Sequence, residues 1–298
     1  MWSRCFLRVW IRQNLTLRDN FSILRALKPS KEVEAFMSRI CTLFSGSSGN
    51  CTYLASQEGG ILIDAGVSAR SIQRALEDRD IDPKTIRAVF VTHEHTDHVA
   101  GLRVFCSRFG CKVYSSPGTL AALEEKGMLQ KVDSSCIGEE TVEAAGMAVR
   151  PFPISHDCAQ GYGYRIHMPD GRKVAVATDT GVMTDGVREA VHGCDLVVIE
   201  SNHDVRMLQN GRYPYYLKRR ILSQTGHLSN DDCAVELAEL VRSGTTRLIL
   251  AHLSRENNVP ELAYETAKSF LTSVGMRQGT DYLLSVAPKA SDQKVMVF

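Results

Sequence analysis

The sequence predicts an α+β fold of four layers, αββα, in which two mixed sheets pack face to face with helices on the outside. Three observations predict it. Short apolar runs parted by glycine-rich turns come first. Helix and strand then alternate, and polar residues with ligand chemistry recur where the apolar runs end. The 298 residues are 44% apolar and 23% charged, the composition of a globular chain with an ordinary surface.

Taken in order, ICTLF (Ile40 to Phe44) and CTYLA (Cys51 to Ala55) read as strands around the turn SGSSGN (Ser45 to Asn50), and GGILIDAG (Gly59 to Gly66) as a third strand. Arg70 to Glu77 has helical character, with Asp82-Pro83 as the exit to the next unit, and Ile86 to Val91 is a strand. Leu102 to Phe109 continues as a helix, Cys111 to Ser116 as a strand, and Pro117 to Met128 as a helix with proline in its first turn. GMAVRPFPI, GYGYRIHM, KVAVATDTG and CDLVVIE follow as strands. Leu228 to Arg242 has a helical period capped by Ser229 or Asn230. TRLILAHLS is a strand, Pro260 to Leu271 a helix, and strands close the chain near Tyr282 to Val286 and Val295 to Phe298.

The most informative stretch is HEHTDH, His93 to His98, directly after AVFV. A strand delivers three histidines and an aspartate to one short loop. On an extended segment His93, His95 and Asp97 share a side and His98 faces the other, which divides the set between two metals. His156 in PISHDC, Asp179 after VAVAT and His252 after RLILA each stand beyond an apolar strand. Together they make five histidines and two aspartates, enough for two divalent ions with water completing each shell. Asp179 is the natural bridge, because one carboxylate offers two oxygens. Imidazole and carboxylate together admit zinc or manganese.

The rest of the sequence narrows the classes. A net charge of +1 argues against bulk attraction to polyanions while allowing a local basic groove. Nine scattered cysteines read as reduced, and hence as cytoplasmic, more readily than as a disulfide framework. No apolar run approaches the ~18 residues of a transmembrane span, so stable membrane insertion is not expected. SGSSGN lacks the lysine of a phosphate-binding loop and reads as a hairpin turn. Residues 1–37, rich in arginine with interleaved aromatics, read as a poorly ordered extension or a misassigned start.

These motifs resemble the metallo-β-lactamase fold superfamily. HxHxDH is intact as His93, His95, Asp97 and His98, and the later ligands match His156, Asp179 and His252. The resemblance implies that His93, His95 and His156 hold one ion, that Asp97, His98 and His252 hold the other, and that residues 38–298 form one hydrolase domain. Histidine at 95 favours hydrolysis over iron redox chemistry. Aspartate at 179, where the lactamase branch has cysteine, argues against antibiotic hydrolysis. LFSGSSGNCTYL, FVTHEHTDHVAGL, ATDTG, VVIESNHDVRML and ILAHLSRENN are similar to the YycJ/WalJ group, described as exonucleases.

That likeness implies a metal-dependent phosphodiester hydrolase, a 5′-to-3′ DNA exonuclease using a metal-bridged hydroxide. A small cyclic or nucleotide phosphodiesterase, a thioester hydrolase or lactonase, and a non-catalytic metal-containing binding protein are the alternatives. By likeness to tRNA 3′-processing relatives, Glu200 orients His227, which protonates the leaving oxygen, while Asp97 steers the water. Arg255, Asn202, His203 and Lys218 are candidate substrate contacts. Tyr213, Tyr215 and Tyr216 beside Lys218, Arg219 and Arg220 fit either a nucleic-acid contact or the solvated face of a helix.

Overall fold

The structure is a computed structural model that describes residues 38–290 and 295–298. The expected extension, residues 1–37, lies outside the described residues.

The first half of the fold holds strands β1 (Arg39–Phe44), β2 (Cys51–Ser56), β3 (Gly59–Ile63), β4 (Ile86–Phe90), β5 (Lys112–Ser115) and β6 (Ser134–Cys136). Helices α1 (Ala69–Glu77), α2 (Thr96–Val99), α3 (Leu102–Phe109) and α4 (Pro117–Glu125) join them. The second half holds β7 (Val142–Ala144), β8 (Met147–Pro153), β9 (Tyr162–His167), β10 (Lys173–Ala177), β11 (Leu196–Glu200), β12 (Arg247–Ala251) and β13 (Leu283–Val286). Its helices are α5 (Asp185–Val191), α6 (Val205–Asn210), α7 (Tyr215–Ile221), α8 (Asn230–Arg242) and α9 (Pro260–Ser273). A last strand, β14 (Met296–Val297), returns to pair with β1.

Two seven-stranded sheets result, ordered β14-β1-β2-β3-β4-β5-β6 and β13-β12-β11-β10-β9-β8-β7. The period of two along each strand explains the layers. In β4, Ala88 and Phe90 face the opposite sheet while Val89 faces the outer helices; Ile86 also faces the helices because the register with β3 shifts by one residue between Ile86 and Ala88. In β10, Val174 and Val176 face the first sheet, and Ala175 and Ala177 lie under the helices of the second. The central seam joins Ile40, Leu54, Ile61, Ile63, Phe90, Tyr164, Ile166 and Val198. Leu102 and Phe105 of α3 and Ile72 and Leu76 of α1 cover the first sheet, and Val187, Leu237 and Leu271 cover the second. This is the αββα sandwich the element order predicts.

The local differences have physical reasons. Ser134–Cys136 and Val142–Ala144 are three-residue strands, too short to show a period. The seven-residue α5 begins with a Thr184 cap and Gly186, a weak helical signal. Asp82-Pro83 opens a short 3-10 turn, with Asp82 accepting from the Lys84 backbone. The extended spacing expected across His93 to Asp97 ends at His95. Helix α2 starts at Thr96, so a helical turn, not strand alternation, aims Asp97 and His98.

Candidate metal centre

Parallel strands β3–β4 and β10–β11–β12 all end on one edge of the sandwich. That edge carries Asp64, the His93–His98 loop, Asp179, Glu200 and His252. His156 follows β8, which runs parallel in direction to β10 because β9 pairs antiparallel with both. Three of these residues sit in the left-handed backbone region: Asp64 at φ 64, Asp179 at φ 56 and His252 at φ 55. Each such turn costs a non-glycine residue roughly 1–2 kcal/mol, and each swings a side chain off its strand into the common site.

Donor atoms of His93, His95 and His156 lie within 4.8 Å of one another, as do those of Asp97, His98 and His252. Asp179 lies between the two groups. Its Oδ2 is 3.3 Å from His98 Nε2, and its Oδ1 is 3.9 Å from His156 Nε2 and 3.4 Å from His252 Nδ1. Four buried atoms point inward without a hydrogen-bond partner: Nε2 of His93, His156 and His252, and Oδ2 of Asp179. Buried polar atoms are otherwise nearly always satisfied, so these orphans fit a pair of divalent cations. The seven sequence-derived ligands are thus brought together.

The nitrogens turned away from the centre are individually held. His156 Nδ1 is 3.1 Å from the Gly226 carbonyl, and His93 Nδ1 is 3.0 Å from the Thr92 hydroxyl. His98 Nδ1 is 2.7 Å from Asp64 Oδ2, and His252 Nδ1 is 2.7 Å from Glu200 Oε1. Each contact fixes a ring and turns its other nitrogen toward the centre, unpartnered in His93, His156 and His252 and 3.1 Å from the Asn50 amide in His98.

Electrostatics follow these partners. Burial holds His93 well below its ordinary value, helped by the neighbouring His98 and His156. Burial opposes charge on His98 too, but Asp179 and Asp64 outweigh it and raise the imidazole to about 9. His252 is likewise pushed up, against burial, by Asp179, by the nearby Asp97 carboxylate 3.6 Å from its Nε2 and by its hydrogen bond to Glu200. Burial would raise Asp97, yet the neighbouring His252 and His98 hold it below the usual carboxylate range.

Glu200, fully buried, occupies a larger place than its expected role. Its Oε1 meets His227 Nδ1 at 2.9 Å as well as His252, and its Oε2 accepts from the backbone of Thr180 and Leu228. Against burial, His227 and the two histidine hydrogen bonds keep it below the usual range. One carboxylate therefore positions both a candidate ligand and the candidate proton donor.

The candidate substrate residues occupy different settings. Arg255 is exposed three residues past His252. Lys218 Nζ donates to the Gln209 carbonyl at 2.7 Å. Asn202 is buried and donates to the His252 carbonyl at 2.9 Å. His203 is buried with neither ring nitrogen partnered, and burial pulls it down to about 4.

Sequence reasoning missed three supports. Asp64 accepts from the Thr92 backbone and hydroxyl as well as facing His98, while burial pushes its carboxyl up. Its signal was present, since it too follows an apolar run. Asn50, read as part of a turn, sends its amide to the Asp97 carbonyl and lies 3.1 Å from His98 Nε2. Ser45 accepts from the His252 backbone at 2.7 Å. A Cβ on Gly66 would meet the Asp97 carbonyl at 1.7 Å, so only glycine lets the β3 turn pass beneath the ligand loop.

Fold and site define the class. Residues 60–253 match the model of the β-lactamase superfamily domain, and the chain belongs to the metallo-β-lactamase superfamily and, within it, to the YycJ/WalJ family. It is 36% identical over 246 residues to the exodeoxyribonuclease YycJ of Bacillus anthracis, covering 80% of this chain and 90% of that one. It is 38% identical over 244 residues to the exodeoxyribonuclease WalJ of Streptococcus pneumoniae, with the same coverage. Among solved structures, the metallo-β-lactamase fold protein YhfI of Bacillus subtilis superposes with a TM-score of 0.65 at 15% identity, over 87% of this chain and 98% of that one. Among the described residues no helix is long and apolar enough to cross a membrane.

Proposed function

We propose that this chain is a metal-dependent phosphodiester hydrolase acting on DNA as a 5′-to-3′ exonuclease. One observation carries the reading: a complete seven-ligand site stands in a chain 36–38% identical over four-fifths of its length to named exodeoxyribonucleases. His93, His95 and His156 would hold one divalent ion, Asp97, His98 and His252 the other, and Asp179 both. Such ions supply an activated water and neutralise charge on the phosphoryl oxygens. The His/Asp set serves zinc or manganese.

The chain's own residues then divide the remaining work. Glu200 holds His227 through Nδ1, which leaves Nε2–H to protonate the departing ester oxygen. Asp97, half-buried at the mouth, orients the water. Arg255 offers a guanidinium to a phosphoryl oxygen. Asn202 supports the His252 loop from behind. Residues 38–298 form the catalytic unit, residues 1–37 are dispensable, and the reduced cysteines suit the cytoplasm.

The test loads the full chain with zinc or manganese and supplies 5′- and 3′-labelled DNA beside bis-p-nitrophenyl phosphate. Stepwise release from the 5′ end supports the reading. Turnover of the small ester with DNA left intact rejects it in favour of a small-molecule phosphodiesterase.

A further inference from the structure

Between Asp204 and Asp231 the chain carries Arg206, Arg212, Lys218, Arg219 and Arg220 and no acidic residue, although its overall charge is only +1. This segment links Glu200 to His227, so it borders the metal centre. Within it, Tyr215 and Tyr216 are 75% and 74% exposed, far beyond any other large hydrophobic side chain among the described residues. Rings so exposed contribute little to packing.

Their placement follows from α7. Arg220 lies four residues after Tyr216, hence on the same helical stripe one turn away. Its guanidinium makes a two-point ion pair with Asp157, and Asp157 Oδ1 lies 3.4 Å from His156 Nε2. The pair fastens the end of α7 to the metal centre and sets Tyr216 one turn outward from it. Arg219 is three residues after Tyr216 and four after Tyr215, so its exposed guanidinium reaches the same surface as both rings. Tyr215 and Tyr216 diverge by about 100° around the helix, so they cannot both lie under one continuous stack.

We propose that α7 is a single-strand platform, in which the Tyr216 ring stacks on an unpaired base near the scissile phosphate and Arg219 holds a backbone phosphate. An aromatic face needs an exposed base face, which a paired strand does not offer, and the exposed Arg219, in a segment that carries no acid of its own, matches a polyanion. The inference rests on the DNA reading above and specifies its substrate as a single strand held beyond the scissile bond. Arg220 acts as a positioning residue through Asp157.

The experiment compares the metal-loaded full chain with Tyr216→Ala, Tyr216→Phe and Arg219→Ala on a short single-stranded oligonucleotide and on bis-p-nitrophenyl phosphate. Tyr216→Ala should raise KM for the oligonucleotide roughly tenfold, the worth of one stacked base, with Tyr216→Phe near wild type. Turnover of the small ester should be unchanged in every variant, which also shows that the site is intact. Arg219→Ala should flatten the dependence of log affinity on log salt by about 0.7, one released counterion. Unchanged oligonucleotide KM in Tyr216→Ala overturns the platform while the nuclease reading stands. A wild-type protein that cleaves the ester and ignores DNA overturns both. Conversion of a dimer to a monomer by Tyr216→Ala, with DNA kinetics intact, overturns the platform by making the patch a contact between copies.

Discussion

The two ligand groups draw on the same few residue types and differ in what stands behind them. His93 and His156 lean on neutral partners, the Thr92 hydroxyl and the Gly226 carbonyl. His98 and His252 lean on carboxylates, Asp64 and Glu200, at 2.7 Å each. All four rings are buried. Burial alone pulls an imidazole toward neutrality, as in His93, whereas carboxylate neighbours reverse the sign in His98 and His252. His203, buried close by without a partnered ring nitrogen, behaves like His93. The carboxylates around a ring, Asp179 first and then Asp64, Asp97 or Glu200, thus decide the sign, and His98 and His252 of the second group are the more basic donors.

The largest effect should come from the residue common to both groups. Asp179→Ala should lose ions from both and abolish hydrolysis while leaving a folded protein, because the sandwich core is independent of metal. Metal analysis and circular dichroism check this; full metal content with wild-type turnover would remove the bridge from the account.

His227 belongs to neither group and should separate chemistry from metal binding. His227→Ala should keep its ions while kcat falls by roughly 10²–10⁴-fold, the worth of a positioned proton donor. The loss should shrink for p-nitrophenyl esters, whose leaving group needs no proton. Equal losses on both substrates would reassign His227 to phosphate positioning.

Asp64→Asn should sharpen the comparison. Replacing this supporting carboxylate should weaken the second ion by about 10–100-fold and the first far less, as read by competition with a chelator. Glu200→Gln should do the same and add a loss of kcat through His227. Equal weakening of both ions by Asp64→Asn would dissolve the distinction between the groups.

The pH dependence of metal binding should divide along the same line. His98 must shed a proton to bind metal. With its metal-free value near 9 and His252 raised as well, affinity at the second group should climb by up to about a hundredfold per pH unit where both rings carry protons. The first group, with His93 already neutral, should respond less. Two titration curves of equal slope would contradict this.

The smallest effect concerns stability. Folding holds His203 near 4 against about 6.5 when unfolded, so it disfavours the protonated form. The contribution is intact above 6.5 and is lost as pH falls from there toward 4. His203→Leu should flatten the decline in Tm over that window; an unchanged slope would place the acid sensitivity elsewhere.

How far the sequence reached can be judged residue by residue. His93, His95, Asp97, His98, His156, Asp179 and His252 were legible because each follows an apolar run, and strand ends on one edge of a sandwich converge. Asp64 obeyed the same rule and was passed over, since a lone carboxylate in a turn gives no sign of the histidine it will face. Asn50 and Ser45 were legible as a turn and not as buttresses, because their partners, Asp97 and His252, lie 47 and 207 positions away.

By itself, the sequence determined the layers and the ligand inventory, because strand periodicity and metal-ligand chemistry are written locally. Tertiary structure decided the aim and the charge. The left-handed turns at Asp64, Asp179 and His252, the helical turn that redirects Asp97 and His98, and the sharing of Glu200 between His227 and His252 all depend on neighbours brought near by folding. A histidine's ligand role can be read from its place after a strand, but the proton affinities of His93, His98 and His252 follow from how deeply the fold buries each ring and which carboxylates, Asp179 first, it gathers around it.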